Sequence, residues 1–330
     1  MRKLRWGVLS TAKIGREKVI PALQKSTHNQ VLAICSRDAQ SARTVADGLG
    51  IERAYGTYEE LLADPDVDAI YNPLPNHLHV DWSIKALQAG KHVLCEKPLG
   101  LNTADAQRLV DAANAHPQLK VMEAFMYRFH PQWQLAKQLV DEGRIGKLYA
   151  VHSHFSYNNR EPNNIRNKAD WGGGALLDIG CYSISLSRWL FNEEPTQVLG
   201  QIMPLPGEEV DCLTSAIMEF SAGSASFTAA TKVEPIQYAE AIGDEGSLYI
   251  ERPFYNDSSE PVQRVRITRS RVQEIIEVPD HNHYGAMGDA FALSIFNNSP
   301  VPTPLSDAIS NMRVVDAIFN SAAERKWVSL

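Results

Sequence analysis

The sequence has no apolar run long enough to cross a bilayer, no Cys-x-x-Cys pair, no internal repeat and no low-complexity stretch. The first absence excludes a helical membrane span, which needs about 20 consecutive apolar residues. Its four cysteines, Cys35, Cys95, Cys181 and Cys212, are scattered through apolar surroundings and read as reduced core residues. A basic surplus is also missing. The net charge of −7 supplies no electrostatic footprint for nucleic acid. The start, Met1-Arg2-Lys3-Leu4-Arg5-Trp6, is followed by too short an apolar run for a signal peptide, so a cytoplasmic protein is expected. His152 and His154, like His281 and His283, are spaced to share a strand face, yet no cysteine or carboxylate cluster completes a set, so no metal is expected. What is present is 330 residues, more than one core usually serves, so two domains are the default.

The chain is organised around Lys91-His92-Val93-Leu94-Cys95-Glu96-Lys97-Pro98. A strand runs into a charged pair stopped by proline, which holds Lys97 in extended geometry at a strand end. Strand ends are where open α/β sheets bind ligands, and a lysine there can hold a hydroxyl or share a proton. The plainer alternative is a surface lysine paired with Glu96.

Residues 1–123 alternate strand and helix, which predicts a doubly wound parallel sheet. A strand over 4–9 leads through Ser10-Thr11-Ala12-Lys13-Ile14-Gly15 into a helix ending at Lys25. Small residues at 10, 12 and 15 fall where a dinucleotide fingerprint has its glycines, making Ser10, Thr11, Ala12, Ile14 and Gly15 candidate pyrophosphate contacts. A plain strand-turn-helix would look similar. The next strand ends in Ser36-Arg37, where NAD-specific sheets usually carry an acidic residue for the ribose 2′-hydroxyl. A hydroxyl and a guanidinium suit a 2′-phosphate instead, which favours NADP. Asn72-Pro73-Leu74-Pro75-Asn76-His77-Leu78-His79 reads as a rigid turn at another strand end. There Leu74 and Pro75 would form a wall for the adenosine and ribose, with Asn76 and His79 as polar contacts. Glu96 and Lys97 complete the expected cofactor set.

Residues 124–330 predict an α+β domain with an open, mainly antiparallel sheet, its strands at 148–157, 197–203, 211–220, 224–232, 238–242, 246–251 and 262–277. The C-terminal helix, 305–324, is expected to pack back on the first domain. In Gly172-Gly173-Gly174-Ala175-Leu176-Leu177-Asp178-Ile179-Gly180-Cys181-Tyr182 the glycines open a helix whose Asp178 and Tyr182 share a face. Gly180 is costly inside a helix and signals a close approach. A hydroxyl being oxidised must shed a proton. A phenol with a pKa near ~10 needs a cation to act as base, and Lys97 could supply it. Tyr182 is therefore the expected acid/base, Lys97 its partner and the substrate anchor, and Asp178 the group orienting a substrate hydroxyl; the plainer alternative is that Tyr182 packs with Cys181 and Trp189 in the core.

The Ser-x-Ala-x-x-Gly turn, the Pro-x-Pro-Asn-x-x-His segment and Glu96-Lys97-Pro98, in this order, resemble the Gfo/Idh/MocA oxidoreductases over essentially the whole chain. The resemblance implies a Rossmann domain, a substrate domain and a homodimer or homotetramer built on the second sheet. It also implies that Tyr127, Arg128 and Tyr284 border the substrate pocket, although an equally simple reading of the residues makes Phe125 and Phe129 core and Arg128 a structural anchor. Many members carry histidine where Tyr182 stands; tyrosine is similar to the NADP-dependent branch containing D-xylose dehydrogenase, dihydrodiol dehydrogenase and glucose-fructose oxidoreductase. The expected activity is NADP-dependent oxidation of a sugar or polyol-like hydroxyl, such as aldose C1 to the lactone. Alternatives are a trans-1,2-dihydrodiol dehydrogenase, a sugar oxidoreductase that recycles NADP without releasing it, and an NADP-binding sensor without turnover.

Overall fold

The structure, a computed structural model, describes residues 2–255 and 262–330. The chain divides into two compact units, Met1–Met126 with Asn282–Ile309, and Tyr127–His281 with Ser310–Leu330.

The first unit holds six parallel strands, β1 (Leu4–Leu9), β2 (Asn29–Cys35), β3 (Arg53–Tyr55), β4 (Ala69–Asn72), β5 (His92–Cys95) and β6 (Val121–Glu123). Their order, β3-β2-β1-β4-β5-β6, is that of a dinucleotide-binding sheet. The central strands are apolar along their length because helices cover both faces, and every residue of β4 is buried. Helices Ile20–Lys25, Ala39–Leu49, Tyr58–Ala63, His79–Gln88 and Thr103–Ala115 fill the crossovers. Thr57 and Glu60 form a capping box on the third of these, as the Thr-x-x-Glu spacing dictates. The helix expected over 14–25 is not α throughout: Gly15–Val19 forms a wider π turn. Helix His283–Phe296 also lies in this unit. Its Asp289 accepts from Ser26 Oγ and from Asn29 Nδ2 (2.8 Å), and its Phe291 ring lies 5.6 Å from that of Trp6.

The second unit is built on nine strands: β7 (Leu148–Asn158), β8 (Gln197–Pro204), β9 (Asp211–Phe220), β10 (Gly223–Ala230), β11 (Lys232–Gly243), β12 (Ser247–Ile250), β13 (Val262–Arg269), β14 (Val272–Pro279) and β15 (Val328–Ser329). Their order is β14-β13-β12-β11-β7-β10-β9-β8-β15, and only the β7–β10 pair is parallel among the described residues. The sheet is therefore open and mainly antiparallel, as expected. The strand expected over 262–277 is instead a hairpin, turning at Ser270 and Arg271 with φ of 48° and 68°. Two positive φ values fit the two-residue turn of such hairpins, but neither residue is the glycine or asparagine that normally announces it.

Alternation sets the faces of this sheet. Val151, Ala216, Met218, Ala225 and Phe227 are buried on one face, while Ile217 and Tyr238 of the other are 43% and 36% exposed. Helices Pro131–Asp141 and Cys181–Phe191 belong to this unit, as does helix Leu305–Glu324 from Ser310 onward. Asn311 of the last helix donates to the Cys181 carbonyl at 3.2 Å, and Ser321 Oγ accepts from Gly200 N at 2.9 Å.

Candidate active site

In the first unit the expected cofactor residues all follow the C-terminal ends of β2, β1, β4 and β5, which are neighbours in the sheet. Ser10, directly after β1, has φ 79°, a left-handed conformation that glycine adopts freely and serine rarely. Its hydroxyl accepts from Ala12 N at 3.3 Å. No side chain caps the start of the following helix, and its first amides form the kind of anion-binding end that a pyrophosphate uses. Thr11, Ala12 and Ile14 are half-buried and Gly15 is buried. A Cβ on Gly15 would stand in ordinary van der Waals contact with Tyr71, Ile20 and Pro73 at 3.7–3.9 Å. These features fit a dinucleotide.

At the end of β2, Asp38 is committed to the following helix. Its carboxylate accepts from Gln40 N (3.4 Å), Ser41 N (2.9 Å) and Ser41 Oγ (2.5 Å), which hold it below the usual carboxylate range. Ser36 Oγ accepts from Asp38 N at 3.4 Å. Arg37 is exposed, with no hydrogen bond or ion pair among the described residues. An exposed cation thus stands at the end of β2, and the nearby acid is occupied.

The β4 turn is braced from within. Asn72 Nδ2 donates to His79 O and Ser83 Oγ, both at 3.0 Å, and its Oδ1 accepts from Leu74 N. His79 does not serve as the expected polar contact. It is 1% exposed, with Nδ1 2.8 Å from Pro98 O and Nε2 2.7 Å from Leu74 O. The two carbonyls favour a charged ring, but burial opposes it more strongly and lowers the pKa to about 4. His79 is a brace that ties the 74–79 turn to the Lys97-Pro98 strand end, where the peptide bond is cis. Leu74 is buried, Pro75 and Asn76 are half-buried, and Tyr71 donates to Glu96 Oε1 at 2.7 Å. Lys91, which opens the same strand, is structural: its ammonium donates to Asp64 O (2.7 Å) and Val67 O (2.8 Å). Tyr284 is buried in the first turn of its helix, its ring 4.6 Å from that of His283.

The second unit gathers Asp178 and Tyr182 with residues the sequence did not single out. Two glycines of the opening loop are required by contact. A Cβ on Gly173 would lie 2.5 Å from Arg166 O, and one on Gly174, whose φ is 110°, 1.9 Å from Asp211 Oδ1. Asp211, buried on β9, accepts from Leu176 N (2.7 Å) and Thr214 Oγ1 (2.6 Å) and anchors the turn that follows. Burial pushes its carboxyl pKa up. That turn, Leu176–Gly180, is π-helical and passes directly into Cys181–Phe191. The close approach signalled by Gly180 comes from the protein itself, since a Cβ there would meet Leu176 at 2.9 Å and Phe227 at 3.3 Å.

Asp178 is 7% exposed and holds two donors on Oδ2, the Tyr157 hydroxyl at 2.5 Å and Arg166 Nε at 2.9 Å. Asp178 favours the charged form of Arg166, which raises the guanidinium pKa, while burial and then the Asp178 charge raise that of Tyr157. Tyr182, 5% exposed, sits among the rings of Tyr127, Phe155 and Phe254 at 5.5–5.8 Å. Arg128 takes a structural part: its Nη2 donates to Ser185 Oγ (2.7 Å) and Ser185 O (3.2 Å), and Ser185 Oγ lies 2.9 Å from the Tyr127 hydroxyl. Both residues thereby hold the helix that carries Tyr182. Tyr157 and Asp211 lie on strands whose alternation showed only their faces, and nothing in the sequence marks Arg166 within its irregular segment.

Comparison with known proteins agrees with this architecture. Residues 4–125 match the model of an oxidoreductase family with an NAD-binding Rossmann fold, and residues 133–249 match the GFO/IDH/MocA C-terminal domain. The chain is 37% identical over 330 residues to D-xylose 1-dehydrogenase (NADP(+)) 2 of Haloferax volcanii, covering 98% of this chain and 99% of that one. A 3-ketoreductase from Actinomadura kijaniata, solved with NADP and TDP-benzene, superposes with a TM-score of 0.90 at 31% identity, covering 97% and 98% of the two chains. An aldose-aldose oxidoreductase from Caulobacter crescentus, complexed with glycerol, gives a TM-score of 0.93 at 26% identity over the full length of both. With the N- and C-terminal family models matched over residues 4–125 and 133–249 and the Haloferax relative covered nearly end to end, the protein belongs to the Gfo/Idh/MocA family of oxidoreductases.

Proposed function

We propose that the protein is an NADP-dependent dehydrogenase acting on a hydroxyl of a sugar or polyol, with aldose C1 oxidised to the lactone as the favoured reaction. The observation that carries this reading is the Asp178 carboxylate, held by Tyr157 and Arg166 in the turn that leads into the Tyr182 helix. A fixed acceptor of this kind suits substrate hydroxyls, and oxidation of a hydroxyl needs an acid/base such as Tyr182. NADP is favoured by the unpaired Arg37 and by Asp38 being occupied as a helix cap. The NADP of the Haloferax and Actinomadura relatives agrees with this choice. When bound, the cofactor supplies the nicotinamide that accepts hydride.

In the oxidative direction the hydroxyl proton leaves to Tyr182 as its carbon loses hydride. Lys97 holds the hydroxyl and stabilises the phenolate form of Tyr182 by charge. Asp178 accepts from a substrate hydroxyl and orients the ring. Lys97 and Tyr182 are assigned to one reaction on chemical grounds. The chain forms a homodimer or homotetramer through the open face of the second sheet, a reading supported by exposed Ile217, Ile236 and Tyr238. Four buried free thiols fit a reducing, cytoplasmic setting.

The test is absorbance at 340 nm with NADP or NAD and a panel of aldoses, inositols and a trans-dihydrodiol. Reduction of NADP by an aldose is the expected result. Turnover of the dihydrodiol alone moves the assignment to that substrate, and silence across the panel overturns the dehydrogenase reading. Light scattering that finds only a 36.7 kDa monomer at micromolar concentration rejects the oligomer.

A further inference from the structure

Arg166 lies in the irregular stretch before the glycine loop, with its side chain 39% exposed. Its backbone is fixed on both sides: Arg166 N donates to Asn164 Oδ1 at 3.0 Å, and Arg166 O accepts from Gly174 N at 2.9 Å. The loop it braces begins the turn that carries Asp178. The guanidinium spends only Nε, on Asp178 Oδ2, and neither terminal nitrogen has a hydrogen-bond partner among the described residues. A guanidinium has five N–H donors in one rigid plane, so about four remain for a ligand. The charges of Arg166 and Asp178 offset each other, which leaves donors and an acceptor side by side with no net charge.

An anionic ligand gains little from such a pair, because the attraction of the guanidinium is opposed by the carboxylate that already neutralises it. Two neighbouring hydroxyls match it, since each hydroxyl is both donor and acceptor. We infer that Arg166 and Asp178 act as one unit that reads two adjacent hydroxyls of a neutral substrate, Arg166 donating to one oxygen and Asp178 accepting from the next. This rests on the proposed function and narrows its substrate to neutral vicinal diols, sugar phosphates and sugar acids being disfavoured. Arg166 is a specificity-determining residue in this scheme.

The test compares wild type, Arg166→Met and Arg166→Lys on the best neutral aldose, its 2-deoxy analogue and its 6-phosphate. Arg166→Met should lose roughly 10- to 100-fold in kcat/KM on the aldose, the worth of a charged hydrogen bond, and less than about threefold on the 2-deoxy sugar. Arg166→Lys, which keeps the charge without the planar fork, should show the same differential with an unchanged melting temperature. Equal losses on both neutral sugars in both variants would mean a purely structural role and overturn the inference. A wild type that turns over the phosphate in preference also overturns it while leaving the dehydrogenase reading intact. A wild type inactive on every sugar defeats the dehydrogenase reading instead. Calorimetric binding of the aldose then still decides the pair, and equal affinity of wild type and Arg166→Met rejects it.

Discussion

The imidazole of His79 stands between two backbone carbonyls, Pro98 O at 2.8 Å and Leu74 O at 2.7 Å, and so joins the turn after β4 to the strand end that presents Lys97. Replacing His79 by alanine removes the one N–H that the neutral ring can give to these carbonyls and leaves a cavity. A loss of about 3 kcal/mol of stability is expected, with a fall in turnover as Lys97 loses its support. Urea denaturation and steady-state kinetics on His79→Ala check this; unchanged stability would show that the brace is idle.

The same ring contributes to acid sensitivity. His79, His92 and His130 each have a folded-state pKa lowered from 6.5 to about 4, mainly by burial. His92 Nδ1 accepts from Lys120 N and His130 Nδ1 from Gln132 N, so the last two must be neutral at that nitrogen. Depressed histidine values mean that the unfolded chain takes up protons first as pH falls. The stability they confer is present above pH 6.5, is lost between 6.5 and 4, and levels off below. Chemical denaturation at pH 7 and pH 5 should differ by a few kcal/mol. A flat profile over that window would contradict the neutral, buried state of these rings.

Arg37 is expected to set cofactor choice. Arg37→Ala should weaken NADPH binding about 10- to 100-fold, the worth of a charged hydrogen bond to phosphate, with NADH binding unchanged. Fluorescence titration with both nucleotides reads this directly. Equal weakening of both would place Arg37 outside the 2′-phosphate site.

Much of this was legible in the sequence. The strand-helix alternation of the first unit follows from apolar runs, caps and prolines, which act locally, and Arg37 was visible because it interrupts a pattern at a fixed place. The role of His79 was misread, and that of Arg128 stayed open between pocket lining and structural anchor, for one physical reason. Both are polar residues near a strand end or crossover, and only three-dimensional packing shows that their nitrogens bond to buried partners of the fold. Arg166 was invisible because its bond to Asp178 joins an irregular segment to a helical turn across 12 residues, with no period to mark it. The turn at Ser270-Arg271 escaped because its positive φ values fall on residues that normally avoid them.

The glycine loop gives a sharper structural check. Gly174→Ala combines a positive φ with a Cβ that would stand 1.9 Å from Asp211 Oδ1, so it should lose at least ~3 kcal/mol of stability. Gly143→Ala, at φ 71° with no neighbour within 4 Å, should lose only ~1 kcal/mol. Thermal unfolding of the pair separates crowding from backbone strain, and equal losses would contradict the anchoring of this loop by Asp211.

The most direct measurement is kcat at 340 nm for Lys97→Ala and Tyr182→Phe with NADP and the best sugar, alongside NADPH affinity for each variant. The expected result is a fall in kcat of at least ~100-fold in both, the usual contribution of a positioned acid/base, with Tyr182→Phe retaining cofactor affinity. Near-normal turnover in both variants would contradict the assignment of Tyr182 and Lys97 to the proton transfer.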